Sequence, residues 1–101
     1  MSTTDTIVKT RTRIEIKEPP KYRVIYMNDE VTTVEFVIES MVTVFSITHL
    51  DAEDLAFKVH QEGSAVVAVL PYEMAEQKGS EVTLLARQNG FPLVVKMEID
   101  E

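Results

Sequence analysis

Cysteine and tryptophan are absent from this chain of 101 residues, and glycine occurs only three times. Without cysteine there is no disulfide framework, no thiolate metal site and no thiol nucleophile. The sequence also has no phosphate-binding glycine loop, no nucleophile elbow and no paired histidine ligands. Catalysis by Asp29 and His60 acting on Ser46, Ser64 or a water is therefore the weakest interpretation. We expect no enzymatic activity, no metal and no cofactor.

Long apolar runs are missing as well. No stretch approaches the ~20 residues that span a bilayer, and no secretory signal is visible. The beginning of the chain contains serine, threonine and arginine, but it is short and carries Asp5, Glu15 and Glu18, which argues against a transit peptide. We expect a cytoplasmic protein that does not bind membranes, with an organellar stroma as the alternative compartment.

Positive charge is scarce in most of the chain, whose net charge is −7. Residues 1–20 contain four basic and three acidic side chains, whereas residues 21–101 contain six basic and fourteen acidic ones. Such an acidic domain repels phosphates, so we expect no binding to nucleic acids. It attracts cations instead, and a peptide amino terminus, with an α-amino pKa of about 7.7–8.0, is a suitable cationic ligand.

The length and the composition predict one domain with a tail. Residues 1–20 are polar, and the weak alternation over residues 10–17 is stopped by Pro19-Pro20. We interpret residues 1–20 as a flexible N-terminal extension and residues 21–101 as the folded core.

The first half of the core predicts one strand and two helices. Aromatic and β-branched residues indicate a strand over Tyr22–Met27, which ends at Asn28-Asp29. Thr32 and Glu35 form a capping-box pattern for a helix over about Thr33–Ser46. Its apolar face is expected at Val34, Val37, Ile38, Met41, Val44 and Phe45.

A second helix is expected after a loop that contains His49. Asp51 is its predicted N-cap, and Gly63 is its predicted end in the left-handed conformation. Ala65–Leu70, an unbroken run of small apolar and β-branched residues, then predicts a central strand.

Pro71 begins a third helix in this interpretation, and Asn89-Gly90 closes it. The last strand is predicted over Leu93–Ile99. The order β-α-α-β-α-β indicates an α/β sandwich of the α+β type, in which a three-stranded antiparallel sheet packs against three helices.

Four motifs, in order, resemble the ClpS adaptor family. They are Pro20-x-Tyr22-x-Val24-x-x-x-Asn28-Asp29-Glu30-x-Thr32-x-x-Glu35-Phe36-Val37, Val59-His60-x-x-Gly63-x-Ala65, Ala75-Glu76-x-Lys78 and Ala86-Arg87-x-x-Gly90-x-Pro92-Leu93. No single motif is specific, but the ordered set covers roughly Pro19 to Glu98 with family-like spacing. The resemblance implies a non-enzymatic N-degron adaptor that delivers substrates to a ClpA- or ClpC-type AAA+ unfoldase for degradation by ClpP. We expect it to be a monomer.

The resemblance assigns Asn28, Asp29 and His60 to the free α-amino group of a substrate's first residue, with Glu30 and Thr32 supporting the turn. The chemistry agrees, because an ammonium offers three donors and a charge-assisted bond is about twice as strong as a neutral one. His60 accepts only through an unprotonated ring nitrogen. From local features alone, the same residues indicate a polar turn and a histidine at a helix end.

The resemblance also implies an apolar pocket for the side chain of the substrate's first residue. Its family positions correspond to Val34, Val37, Ala56, Val59 and Leu93, which otherwise indicate core packing. Val34 and Ala56 stand where the family usually has methionine, and both are smaller. We predict a wider pocket that takes an N-terminal Leu, Phe, Tyr or Trp and tolerates β-branched first residues.

The outward face of the third helix, with Glu73, Glu76 and Lys78, resembles the surface on which family members dock the N-terminal domain of the unfoldase. Without the resemblance it is a solvated charged face. The N-terminal extension would also engage the unfoldase.

Two other functions stay open: an acidic factor-recruiting module of similar fold, like the C-terminal domain of the ribosomal stalk protein, and a divergent paralogue with an altered preference for the N-terminal residue.

Overall fold

The computed structural model describes residues 18–101, in which six elements follow the predicted order β-α-α-β-α-β. The elements are β1 (Lys21–Met27), α1 (Val34–Phe45), α2 (His49–Glu62), β2 (Ser64–Pro71), α3 (Tyr72–Gln88) and β3 (Val94–Ile99). Most of the predicted N-terminal extension, residues 1–17, lies outside the described residues. Glu18, Pro19 and Pro20 are exposed and precede β1.

The sheet confirms the predicted fold class. Its strand order is β2-β1-β3, and β1 pairs antiparallel with both neighbours. Tyr26, for example, lies opposite Ala65 on one side and Val95 on the other. The strand that comes first in the chain therefore occupies the centre of the sheet. The prediction of a central strand over Ala65–Leu70 is wrong, because β2 is an edge strand and its Val66 and Val69 are exposed. Within residues 18–101, no helix is both long enough and apolar enough to cross a membrane.

The core contains Tyr26 at its centre, buried together with Met41, Val82 and Leu93. The Tyr26 hydroxyl lies 2.7 Å from Ser40 Oγ, and Ser40 in turn donates to the Val37 carbonyl. Tyr26 is therefore the donor of this buried pair. Burial, opposed by the bond to Ser40, raises the pKa of Tyr26 to about 12.

Both predicted helix caps are wrong by one to three residues. Thr33, not Thr32, is the N-cap of α1, and its side chain accepts from the Phe36 N–H. Thr48, not Asp51, caps α2, and it accepts from the Asp51 N–H. In each case a neighbouring residue with a good capping side chain takes the position, because the caps Asn, Asp, Ser and Thr differ little in preference.

The earlier start of α2 also changes the environment of His49. It is the first residue of the helix rather than a loop residue, and its Nδ1 lies 3.6 Å from Glu53 Oε2. The end of α2 is as predicted, since Gly63 adopts φ 92° in the left-handed region.

Candidate functional site

The loop after β1 and the last turn of α2 lie side by side. The Asn28 N–H donates to the Gly63 carbonyl over 2.9 Å, directly beyond the β-pair of Met27 with Ser64. His60 is exposed in the last turn of α2, three residues before Gly63. The structure thus brings the end of β1 to the end of α2 that carries His60.

Asp29 organises the loop that begins at Asn28. Its Oδ1 accepts from the Val31 N–H at 2.8 Å and from the Thr32 N–H at 2.7 Å. Its Oδ2 accepts from the Thr32 hydroxyl at 2.8 Å. Thr32 therefore supports the turn through Asp29 instead of capping α1, which is why Thr33 is left to cap the helix.

These bonds also set the charge state of Asp29. Partial burial disfavours its ionised form, but the hydrogen bonds from Thr32 and Val31 and the positive charge of Arg87 outweigh that effect and lower the pKa of the carboxyl. A carboxylate has about four acceptor sites. Three are used within the loop, so one site on Oδ2 remains for a ligand.

Arg87 is a residue of this region to which the sequence analysis gave no role. Its Nη1 donates to the Phe91 carbonyl at 2.9 Å and to the Leu93 carbonyl at 3.0 Å. It thereby connects the end of α3 to the segment that carries Leu93, and its charge acts on Asp29. The sequence feature that could have indicated a role for Arg87 is its position in the motif that runs from Ala86 to Leu93.

Four of the five predicted pocket residues belong to one buried cluster. They are Val37, Ala56, Val59 and Leu93. Val34 does not, because it is the first residue of α1 and is 54% exposed. The prediction that Val34 lies on the core face of α1 is therefore wrong, and its side chain lies at the surface near the polar loop. Three cavities of about 590, 500 and 220 Å³ among residues 18–101 are lined by other residues.

The predicted docking residues do not share one face of α3. Glu73 and Glu76 are exposed. Lys78 is partly buried, and its Nζ donates to the Val44 carbonyl at 3.0 Å, near the end of α1. At 100° per residue, Lys78 projects about 160° away from Glu76, so it ties α3 to α1 while the two glutamates face outward.

Comparisons with known proteins agree with the fold and the motifs. The family model described as "ATP-dependent Clp protease adaptor protein ClpS" matches residues 17–96. The chain is 42% identical over 93 residues to an ATP-dependent Clp protease adapter protein ClpS of Acetivibrio thermocellus, covering 92% of this chain and 94% of the relative. A ClpS of Nautilia profundicola is 46% identical over 85 residues, which cover 84% of this chain and 88% of the relative.

A solved structure is similar as well. It is that of Agrobacterium tumefaciens ClpS2 bound to L-phenylalaninamide, with a TM-score of 0.80 and 35% sequence identity. The similarity covers 82% of this chain and all of the other.

Proposed function

This chain belongs to the ClpS family of adaptor proteins of the ATP-dependent Clp protease, and as an adaptor it is not an enzyme. From this membership we propose that it binds the free α-amino group and the apolar first side chain of N-degron substrates. We further propose that it delivers them to a ClpA- or ClpC-type unfoldase for degradation by ClpP. Family membership also removes the stalk-like recruiting module from the alternatives.

One observation carries the proposal: the hydrogen bond from the Asn28 N–H to the Gly63 carbonyl. It fixes the polar loop against the last turn of α2, beside His60. An ammonium needs several acceptors around it. The Asn28 side-chain carbonyl, the remaining Oδ2 site of Asp29 and an unprotonated ring nitrogen of His60 supply three.

Asp29 has a different part in this proposal from the one that the resemblance implies. Because most of its acceptor capacity is used by Val31 and Thr32, it acts chiefly by shaping the loop and by its negative charge. The lowered pKa extends the ionised state of the carboxyl to a more acidic pH than that of an ordinary aspartate.

The apolar pocket is proposed at the surface above Val37, Ala56, Val59 and Leu93, with the exposed Val34 at its edge. These four residues lie in one cluster of the core. The ligand of the Agrobacterium structure supports recognition of an apolar first residue, since L-phenylalaninamide carries both a free α-amino group and an aromatic side chain. Leu, Phe, Tyr and Trp are the proposed first residues.

The unfoldase would dock through the exposed Glu73 and Glu76 of α3. Lys78 would contribute indirectly, because its bond to the Val44 carbonyl holds α3 against α1. The partner in this proposal is the N-terminal domain of the unfoldase.

The experiment titrates the protein with labelled peptides that differ only in the first residue. Leu-, Phe-, Tyr- and Trp-initiated peptides should bind more tightly than a Ser-initiated one, because their side chains leave water for the pocket. Equal affinity of all these peptides would contradict the proposed pocket.

The width of the pocket is tested in the same series. Ile- and Val-initiated peptides should also bind better than the Ser-initiated peptide, and Val34→Met should weaken them selectively by narrowing the site. Val31→Met is the matched control, because Val31 is 59% exposed in the loop just before α1. If Ile and Val bind no better than Ser, the pocket is not widened.

A further inference from the structure

A groove of about 500 Å³ runs along α1 beside the first turns of α2. Ile38 and Val42 form its apolar floor, and both are partly buried. Glu35, Glu39 and Glu53 form an exposed rim. The groove therefore combines an apolar floor with a negatively charged border.

β1 begins at the end of the molecule where α1 ends and α2 starts. β1 begins at Lys21, opposite Pro71, the residue before α3. Lys78, in the second turn of α3, bonds the Val44 carbonyl near the end of α1. His49 starts α2 and lines the groove, so one end of the groove lies at the same end of the molecule as the start of β1.

The sequence before residue 18 has the opposite charge to the rim. Residues 9–17 contain four basic side chains and one acidic one. Charged residues alternate with threonine or isoleucine in residues 11–17. An extended segment would therefore present Ile14 and Ile16 on one side and Arg11 and Arg13 on the other. This pattern complements a groove with an apolar floor and an acidic rim.

We propose that residues 9–17 dock in the α1–α2 groove of their own chain. Ile14 and Ile16 contact the floor, and the basic side chains face the glutamates of the rim. Nine extended residues span about 30 Å, and the twelve residues of α1 about 18 Å. The segment is thus long enough to run from the start of α2 to the start of α1.

The docked segment would end near Val34, beside the loop that carries Asn28 and Asp29. Docking would then store the N-terminal extension on the core, next to the proposed peptide site. Because the attraction is electrostatic and the rim is exposed, salt should release the segment. The docking proposal rests on the groove and the charges, and it does not depend on whether the protein binds peptides.

The test places a nitroxide spin label on Thr10→Cys in the full chain, which has no other cysteine. The amide signals of Ile38 and Val42 should lose intensity, whereas those of Val66 and Val69 in β2 should keep it. Raising the salt concentration to about 1 M, where the Debye length is about 3 Å, should restore the lost intensity.

Paired substitutions make the test specific. Glu39→Gln with Glu53→Gln should abolish the intensity loss, and Glu76→Gln with Glu81→Gln on α3 should leave it unchanged. Uniform broadening, or no broadening at the groove, overturns the proposal. Broadening that appears only when spin-labelled chains are mixed with isotope-labelled ones assigns the groove to a second copy and also overturns it. Binding of a Phe-initiated peptide is measured alongside, because its loss bears on the proposed function alone.

Discussion

Asp29 is the residue on which the geometry of the peptide site most depends. It fixes its own loop with three hydrogen bonds and leaves one acceptor site and a full negative charge for a ligand. A purely structural turn residue would not need the charge, since an asparagine in its place offers the same Oδ1 acceptor to the two backbone N–H groups.

Asp29→Asn separates these two contributions. The variant should keep the bonds to the Val31 and Thr32 N–H groups but lose the negative charge and the acceptor for the Thr32 hydroxyl. Affinity for a Phe-initiated peptide should fall roughly 10- to 100-fold, the range for losing a charge-assisted hydrogen bond. Calorimetric titration measures it, and Glu30→Gln in the same loop is the matched control. An unchanged affinity would mean that the charge of Asp29 does not face the ligand.

The lowered pKa of Asp29 predicts a dependence of stability on pH. The ionised carboxylate favours the folded state, so its contribution is complete above the usual value of 3.8 and disappears as the pH falls through the lower folded pKa. Urea unfolding below about pH 4 should therefore show a steeper loss of stability for the wild type than for Asp29→Asn. Parallel curves for the two proteins would contradict the lowered pKa.

The raised pKa of Tyr26 predicts a loss of folding stability at alkaline pH. Its folded pKa of about 12 exceeds the usual value of 10.0, so the neutral phenol favours folding, and this contribution is lost as the pH rises from 10.0 through 12. Tyr26→Phe should cost about 1 kcal/mol at neutral pH through the lost bond to Ser40, and it should flatten the alkaline limb. Unfolding curves from pH 7 to 11 provide the measurement, and an equally steep limb in the variant would assign it to other groups.

At the scale of the elements, the starts of α1 and α2 each depend on one hydroxyl, whereas Pro71 precedes α3 without a side-chain cap. Thr33 and Thr48 accept from the N–H groups of Phe36 and Asp51. The sequence offers several suitable caps within a few residues of each start, and at α1 Asp29 engages Thr32 and leaves the cap position to Thr33. The period of the apolar residues could not show this contact.

Thr33→Ala should therefore destabilise the protein by about 1 kcal/mol, the usual cost of losing an N-cap. Thr43→Ala is the control, since Thr43 is an exposed residue within α1. Chemical denaturation compares the two variants. If both lose the same stability, the effect comes from helix propensity and not from capping.

The connection between α3 and β3 depends on Arg87. Arg87→Met should remove both bonds to the Phe91 and Leu93 carbonyls and weaken peptide binding, because Leu93 is part of the proposed pocket wall. Arg87→Lys should restore the charge near Asp29 without the same geometry and recover binding only in part. Peptide titration of both variants distinguishes the effect of the two carbonyl bonds from the effect of the charge. Full binding by Arg87→Met would show that peptide binding does not depend on Arg87.

For the whole molecule, the order of the elements, the fold class and the main buried positions could be predicted from the sequence. The periodicity of Val37, Met41 and Val44 reports directly on burial, whereas the apolar run after Gly63 predicted a strand but not its position at the edge of the sheet. The family motifs added the proposed site residues, which no local pattern singled out.

What could not be predicted depends on contacts between distant parts of the chain. Lys78 has the sequence context of a surface residue, yet it bonds a carbonyl 34 residues away. Val34 continues the apolar period of α1 but lies at its first turn, beyond the reach of the core. The α1–α2 groove likewise exists only because two helices are placed side by side.

The central claim is that the protein recognises a free α-amino group next to an apolar side chain. The most direct test is the affinity for one Phe-initiated peptide before and after acetylation of its amino terminus. Acetylation removes the charge and the donors that Asn28, Asp29 and His60 would receive, so binding should be lost. Equal binding of the free and the acetylated peptide would contradict the claim.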